Sequence, residues 1–146
     1  MADERPVLDQ INLVVTDMEA SLAFYRRLGV DIPDRMPQWD PHHRSANTAG
    51  GLDFDLDSVV FTRQWDEGWG GRKNGAGSVV VFKVETREDV DEIYNDLVGA
   101  GYKGQQAPYD AFWGARFAVI EDPDGNAVGI MSPSDPGLRS ASNPPD

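Results

Sequence analysis

The sequence predicts an α+β fold built from two similar halves. Residues 7–15 alternate along a half-buried strand, and residues 18–28 then carry an apolar stripe at helical spacing. The second half repeats this order, with a strand at 78–84 and a helix at 89–100. One offset of 69 residues relates Ile11, Leu13, Val15, Phe24, Tyr25 and Leu28 to Val80, Phe82, Val84, Ile93, Tyr94 and Leu97. Because so small a unit buries its sheet poorly alone, we expect the halves to pair.

The first half, residues 1–65, contains further predicted elements. Asp17 is placed to cap the helix, and Gly29 is placed to end it. Residues 30–39 are interrupted by prolines and form at best a short edge strand. Residues 42–48 and 52–57 read as strands, while 58–65 are either more strand or a short helix capped by Ser58.

A glycine-rich connector, residues 66–77, separates the first half from the second, residues 78–132. Thr86 and Asp89 form a capping-box pattern. After the helix, residues 102–106 suggest a short strand. Residues 115–121 and 126–131 suggest a hairpin joined at Asp122-Pro123-Asp124-Gly125-Asn126. Residues 133–146 show no periodicity, and we expect a flexible tail.

Charge and composition narrow the classes of partner. The chain has 146 residues and a net charge of -12, which disfavours nucleic acid and anionic membranes as partners. It has no cysteine, so disulfides and thiolate chemistry are excluded. Because no apolar run approaches the ~18 residues of a membrane span and no apolar signal region begins the chain, we expect a cytoplasmic protein.

Two motifs carry a resemblance to a known superfamily. Residues 7–25 resemble the opening of the vicinal oxygen chelate superfamily, which includes glyoxalase I, extradiol dioxygenases and bleomycin-resistance proteins. Residues 113–126 resemble its closing hairpin. The resemblance implies two βαβββ modules forming curled mixed sheets, with helices outside and a concave ligand cup inside. It also implies a homodimer, because a second subunit often completes the cup.

The resemblance gives positions for metal ligands, and this sequence departs from them. Gln10 at the first position can ligate, but Val79 and Gly129 at two others cannot. The fourth position is ambiguous, with Asp53 and Asp55 available. Because a divalent ion needs several converging N or O donors, we predict no metal ion and no cofactor.

Polar candidates for a ligand site lie on predicted strands. Gln10 and Asn12 share one strand face, and Asp53 and Asp55 oppose an apolar set. The two acids either face a cationic ligand or form a solvated surface. His42 and His43 are adjacent and face opposite ways on a strand, so a two-histidine ligand pair is disfavoured; we favour His43 for the cup.

Aromatic residues outside the periodic elements supply further candidates. Trp65, Trp69, Phe112 and Trp113 suit stacking on a flat ligand, and Phe112 and Trp113 rank above Trp39 because they flank the closing hairpin. Loop anchoring and dimer contact explain the same positions equally well. Arg116 either reaches a ligand anion or, more simply, pairs with an acid across the sheet.

These observations predict a metal-independent protein that sequesters a planar or cationic small molecule in an aromatic-lined cup, without turnover. The main alternative is a metal-dependent lyase or dioxygenase whose ligands are Gln10, His43 and an aspartate. A metal-free enzyme using His43 or an aspartate as base, and an interaction module with an empty cup, stay open.

Overall fold

The alternating pattern near the N-terminus forms strand β1 (Gln10–Val15), and the stripe after it forms helix α1 (Met18–Leu28). The computed structural model describes residues 8–67, 69–71 and 78–141, in two units, 1–71 and 72–146. The first unit continues with β2 (His43–Ser45), β3 (Asp53–Ser58) and α2 (Val59–Trp65). The second has β4 (Val79–Lys83), α3 (Arg87–Gly99), β5 (Gly104–Asp110), β6 (Arg116–Glu121), β7 (Ala127–Met131) and a 3-10 turn (Pro136–Leu138).

Each unit contains one mixed sheet, which confirms the predicted α+β class. The first sheet has the order β1-β3-β2, with β1 parallel and β2 antiparallel to the central β3. The second has the order β4-β7-β6-β5, with β4 parallel to β7 and the other pairs antiparallel. In both units the first strand therefore lies beside the last.

The internal repeat survives in the positions of the elements. β1 and β4 begin at Gln10 and Val79, and α1 and α3 begin at Met18 and Arg87, each pair 69 residues apart. Asp17 caps α1 by accepting from the amide of Ala20. The predicted capping box is also present, because Thr86 Oγ1 accepts from Asp89 N while the Asp89 carboxylate accepts from Thr86 N.

The first sheet has three strands where the resemblance implied four. Residues 30–39 form no strand, because Pro33 and Pro37 cannot donate to a ladder. One ladder-like bond remains there, from Asn47 N to Asp31 O at 2.8 Å. The element predicted at 58–65 is a helix and not a strand, with Ser58 Oγ accepting from Phe61 N. In the second unit the strand predicted at 102–106 is longer, Gly104–Asp110.

Helix α1 covers one face of the first sheet. Phe24 and Tyr25 are fully buried, and the Tyr25 ring meets Phe54 of β3 edge-on at 5.2 Å. Phe54 and Leu56 point to this side, so the alternating Asp53, Asp55 and Asp57 lie on the opposite face. The apolar side of the strand therefore leaves the other face for polar chemistry.

Part of the predicted flexible tail is held in place. Asp135 N donates to Gly114 O and Ser140 N to Phe112 O, both at 3.0 Å. A Cβ at Gly114 would stand 2.3 Å from Asp135 O, and its φ is +95°, so glycine permits the approach. Residues 142–146 of the tail, and 68 and 72–77 of the predicted connector, lie outside the described residues. Within the described part of the chain, no helix has the length and apolarity needed to cross a bilayer.

Candidate functional site

The strand register gathers polar residues on one face of the first sheet. Gln10 lies opposite Asp53 and Asn12 opposite Asp55, while His43 and Ser45 of β2 lie opposite Asp57 and Asp55. Side chains of residues paired across strands share a face. The face is called the polar face below, and it consists of Gln10, Asn12, His43, Ser45, Asp53, Asp55 and Asp57.

His43 and Asp57 form the most tightly held pair on the polar face. His43 Nδ1 lies 2.6 Å from Asp57 Oδ1, and Asp57 is only 1% exposed. Asn12 Nδ2 donates to the other oxygen, Asp57 Oδ2, at 2.9 Å. Because a carboxylate accepts, it favours the tautomer with the hydrogen on Nδ1 and leaves a lone pair on Nε2.

Two further contacts orient the His43 ring. Its Nε2 lies 3.3 Å from Ser45 Oγ. Its ring packs against Phe61 of α2, with centroids 5.5 Å apart and an interplanar angle of 66°. His43 is therefore held from the carboxylate side, the hydroxyl side and the ring face.

Asp55 differs from Asp57 because a buried oxygen of its carboxylate has no hydrogen-bond partner among the described residues. Asp55 is 6% exposed, and its Oδ1 bonds to no described residue. Asp53, two residues earlier on the same face, is exposed and forms no ion pair with the described residues. An unsatisfied buried acceptor costs about 1–3 kcal/mol.

A cavity of about 550 Å³ opens beside β2. From the polar face it takes His43, Ser45 and Asp53, and Trp39, which is 46% exposed, contributes an aromatic wall. Its other lining residues are Pro33, Arg35, Met36, Asp40, Arg44, Ala46, Asn47, Thr48 and Gly51. The cavity therefore combines acidic and basic side chains, an aromatic ring and neutral hydrogen-bonding groups.

The two arginines of the cavity wall are in different electrostatic situations. Arg44 is buried and bonds to Asp34 at 2.6 Å and to the Asp40 carbonyl at 2.8 Å, so its charge is compensated. Hydrogen bonds from Arg44 and then Arg26 hold the pKa of Asp34 below its ordinary value. Arg35 donates to Asn47 Oδ1 at 3.0 Å and forms no ion pair with a described side chain.

The second histidine belongs to a different cavity. His42 lies in the turn before β2, and its Nδ1 is 3.0 Å from Ser58 Oγ. With Gln38, Val60, Phe61 and Gln64 it lines a space of about 340 Å³. Trp39 borders both cavities and meets the Phe61 ring edge-on at 5.6 Å.

The other predicted aromatic residues lie elsewhere. Trp65 ends α2 and is 52% exposed, and the Trp69 ring has Arg63 over it at 5.9 Å. Neither lines a cavity described above. In the second unit, Phe112 meets Trp113 edge-on at 5.2 Å, and Trp113 meets Phe117 at 5.7 Å. Their ligand contacts stay predictions.

Arg116 is paired with acids of its own unit. It binds Asp91 at 3.0 Å and Asp110 at 3.2 Å, and these contacts raise the pKa of Arg116 above its ordinary value. This is the pairing with acids that the sequence left open beside contact with a ligand anion.

Sequence reasoning missed Asp57 and Ser45. Asp57 continues the alternation of Asp53 and Asp55, so the signal for its face was present. Its pairing with His43 depends on the register between β2 and β3, which local pattern does not set. Ser45 lies two residues after His43 and hence on the same strand face.

The residues at the metal-ligand positions do not fit a resident metal ion. Val79 and Gly129 offer no donor atom, and a Cβ at Gly129 would stand 2.9 Å from a Val81 methyl group. In the part of the chain described by the structure, no three His, Cys, Asp or Glu side chains are arranged to hold one ion. On the polar face, His43 Nδ1 is already engaged by Asp57.

The fold and the site define a class: a repeated α+β unit whose first sheet carries a polar face beside a cavity. The chain belongs to the Glyoxalase/Bleomycin resistance protein/Dioxygenase superfamily, whose family model matches residues 7–130.

Solved structures share this fold. A glyoxalase/bleomycin resistance protein/dioxygenase family enzyme from Burkholderia phytofirmans PsJN superposes with a TM-score of 0.72 at 24% identity, over 86% of this chain and 97% of that one. A glyoxalase-related enzyme from Fulvimarina pelagi gives 0.72 at 21% identity, over 87% and 88%. Lactoylglutathione lyase from Agrobacterium tumefaciens gives 0.62 at 19% identity, over 89% and 96%. At these identities the likeness concerns the fold.

A curated relative matches a shorter stretch. The uncharacterized protein YraH of Bacillus subtilis strain 168 is 46% identical over 50 residues, which is 34% of this chain. The match spans 37% of that protein's length.

Proposed function

We propose that this chain is a metal-independent binding protein that sequesters a small, planar organic cation in the cavity beside β2. The observation that carries the proposal is Asp53, a carboxylate of the cavity wall without a cationic partner among the described residues, on the face that holds His43. A bound cation supplies the missing charge. Binding without turnover is the function that these groups support.

Each wall of the cavity has a distinct part in recognition. Asp53 attracts the positive charge, and Trp39 offers a π-face to a flat ring. The Ser45 hydroxyl and His43 give directional hydrogen bonds that set the ligand's orientation. Because Arg44 is compensated by Asp34, it adds little repulsion toward a cation.

The metal-dependent lyase or dioxygenase is not the function favoured here. Its ligand set would be Gln10, His43 and an aspartate, but no three His, Cys, Asp or Glu side chains among the described residues are arranged to hold one ion, and Asp57 engages His43 Nδ1. The relatives with enzyme names resemble this chain at identities that support only a common fold.

Partners and location remain predictions from the sequence. The net charge of -12 supports a small molecule over nucleic acid or an anionic membrane. A homodimer and a cytoplasmic location complete the proposal, and sizing of the purified protein tests the first of them.

Calorimetric titration with N-methylquinolinium, compared with neutral quinoline at pH 8, tests the proposal directly. We expect the cation to bind and quinoline to bind at least about tenfold more weakly, a difference of about 1.4 kcal/mol. Asp53→Asn should weaken cation binding to a similar extent. Glu19→Gln, on the exposed side of α1, is the matched control and should leave binding unchanged.

Equal binding of the two compounds, or no effect of Asp53→Asn, would contradict recognition of charge at this site. Failure of every planar cation to bind would favour the interaction module with an empty cup.

A further inference from the structure

A hydrogen-bonded chain of three side chains runs across the polar face. Ser45 Oγ lies 3.3 Å from His43 Nε2, and His43 Nδ1 lies 2.6 Å from Asp57 Oδ1. A hydroxyl, an imidazole and a carboxylate stand here in the order that activates a serine nucleophile. The spacing between serine and histidine is longer than in a tight bond, as is common before a substrate is bound.

Ser45, His43 and Asp57 differ in burial, and the difference matches their proposed roles. Ser45 and His43 line the cavity of about 550 Å³, where a bound molecule would meet them. Asp57 is 1% exposed and does not line it. The groups that would touch a substrate are therefore accessible, and the carboxylate that orients the imidazole is shielded.

Asp57 is itself held in position. Asn12 Nδ2 donates to Asp57 Oδ2 at 2.9 Å, so both carboxylate oxygens have a partner. Phe61 supports the ring of His43 from α2. Asp57 and Asn12 are thus positioning residues that keep Nε2 directed at the serine hydroxyl.

A second histidine–serine pair in the same unit lacks the carboxylate, within the part of the chain that the structure describes, and serves as a comparison. His42 also contacts a serine, Ser58 Oγ, at 3.0 Å. Ser58 caps α2 by accepting from Phe61 N, and His42 bonds to no carboxylate among the described residues. The His42–Ser58 pair stabilises a helix end, and it provides a control within the same chain.

We propose that Ser45 is a nucleophile activated by His43, and that this cavity hydrolyses carboxylic esters of a small organic cation. The inference rests on the proposed function for its substrate class, because the cation is the part of the ester that Asp53 recognises. A ligand without an ester would only be bound, as the proposed function states.

The carboxylate of Asp53 selects the substrate class. A tetrahedral oxyanion in the cavity would be repelled by the charge of Asp53. A positive group in the same substrate compensates this carboxylate, whereas a neutral ester leaves the repulsion in place. Arg35, which lines the cavity, offers N–H donors for the ester carbonyl oxygen.

The reaction balances with water as the only co-reactant. Ser45 Oγ bonds to the ester carbonyl carbon while its proton passes to His43 Nε2. The carbon–oxygen bond to the leaving alcohol breaks, and that oxygen takes the proton from Nε2. A water molecule then gives a proton to Nε2 and bonds to the acyl carbon, and Ser45 Oγ leaves and recovers the proton. The products are a carboxylic acid and a cationic alcohol.

Labelling of the full chain with an alkyl fluorophosphonate, read by peptide mass spectrometry, tests the nucleophile. We expect one adduct, on Ser45, that is absent in Ser45→Ala and formed at least about a hundredfold more slowly in His43→Ala and Asp57→Asn. His42→Ala should be labelled at the wild-type rate. No adduct on Ser45, or one that forms equally fast without His43, would overturn the proposal.

Folding of the variants is checked by circular dichroism and thermal unfolding. Ser45→Ala removes a single oxygen atom, so the comparison stands even if Asp57→Asn unfolds. The conservative variant Ser45→Cys should regain a reactive group, and its alkylation by iodoacetamide should be slowed by His43→Ala. Alkylation at an unchanged rate would contradict activation by His43.

Hydrolysis of acetylthiocholine, compared with its neutral carbon analogue 3,3-dimethylbutyl thioacetate, tests the substrate class. These two thioesters follow the same steps with sulfur as the leaving atom, and we expect the cation to react at least about tenfold faster. Equal rates would overturn the class. If the wild type binds N-methylquinolinium but forms no adduct on Ser45, the nucleophile fails and the binding function stands. If Ser45 is labelled but no cation binds, the proposed function fails and only the nucleophile stands.

Discussion

Asn12 donates a hydrogen bond of 2.9 Å from its side-chain amide to Asp57 Oδ2, across 45 residues of sequence. The bond joins the neighbouring parallel strands β1 and β3 through their side chains as well as their backbones. It also gives the buried carboxylate a donor in addition to His43.

Asn12→Leu should lower the free energy of unfolding by about 1–3 kcal/mol, because a buried carboxylate oxygen then lacks its partner. Urea unfolding measures this change. Gln10→Leu, at the exposed start of the same strand, is the control and should cost much less. Equal losses in the two variants would show that the bond to Asp57 adds nothing specific.

Trp39→Ala should reduce affinity for N-methylquinolinium by about 0.5–2 kcal/mol, because an aromatic ring of the cavity wall is removed. Calorimetry gives the affinity. Trp65→Ala removes an equally exposed indole outside both cavities and should leave affinity unchanged. If the two variants bind alike, Trp39 is not part of the site.

Gly29→Ala should destabilise the first unit by about 1 kcal/mol or more, because Gly29 ends α1 with φ at +115°, where a Cβ is strained. Thermal unfolding provides the measurement. Gly50→Ala is the matched control, since this glycine has open space around it and no positive φ. A destabilisation as large at Gly50 would rule out the backbone explanation.

Asp110 should contribute to stability only above acidic pH. A hydrogen bond from Arg87, with a smaller contribution from Arg116, lowers the pKa of Asp110 below its ordinary value of 3.8. A carboxyl whose pKa is lower in the folded state stabilises above its unfolded pKa, and this stability is lost as pH falls through the folded pKa. The difference in Tm between wild type and Asp110→Asn should therefore be largest above pH 4 and should shrink as the pH falls below 4.

Arg87→Gln gives a second view of the same pair. Arg87→Gln should remove the same pH-dependent contribution to Tm as Asp110→Asn. The double variant should therefore have nearly the same Tm as either single variant. A gap in Tm that persists at the lowest pH would assign the loss to something other than the ionised carboxylate.

The local features of the fold could be predicted because they depend on neighbouring residues. The Asp17 cap, the Thr86 capping box and the Gly29 end each follow from a few adjacent side chains. The helix at 58–65 could not be predicted from neighbouring residues alone, because a β-branched pair after Ser58 suits a strand as well. Tertiary packing decided between the two.

The candidate site was predictable in part. His43, Asp53 and Asp55 were chosen by residue type and alternation, and they lie on one face. Asp57 as the partner of His43 follows from pairing between strands that a turn separates, which periodicity does not reveal. Among the aromatics, the sequence ranked Trp113 above Trp39, whereas Trp39 borders the cavity.

The repeated unit has consequences for how this chain acquired its chemistry. At the positions equivalent to Gln10 and Asn12, the second copy has Val79 and Val81, and opposite them Ala127 and Gly129 stand where the first copy has Asp53 and Asp55. A duplication supplies two backbones that initially share one set of side chains. Here the first copy carries polar and ionisable side chains at these positions and the second carries aliphatic ones, of which Val79 and Val81 are exposed, so the same backbone presents surfaces of opposite polarity in the two copies.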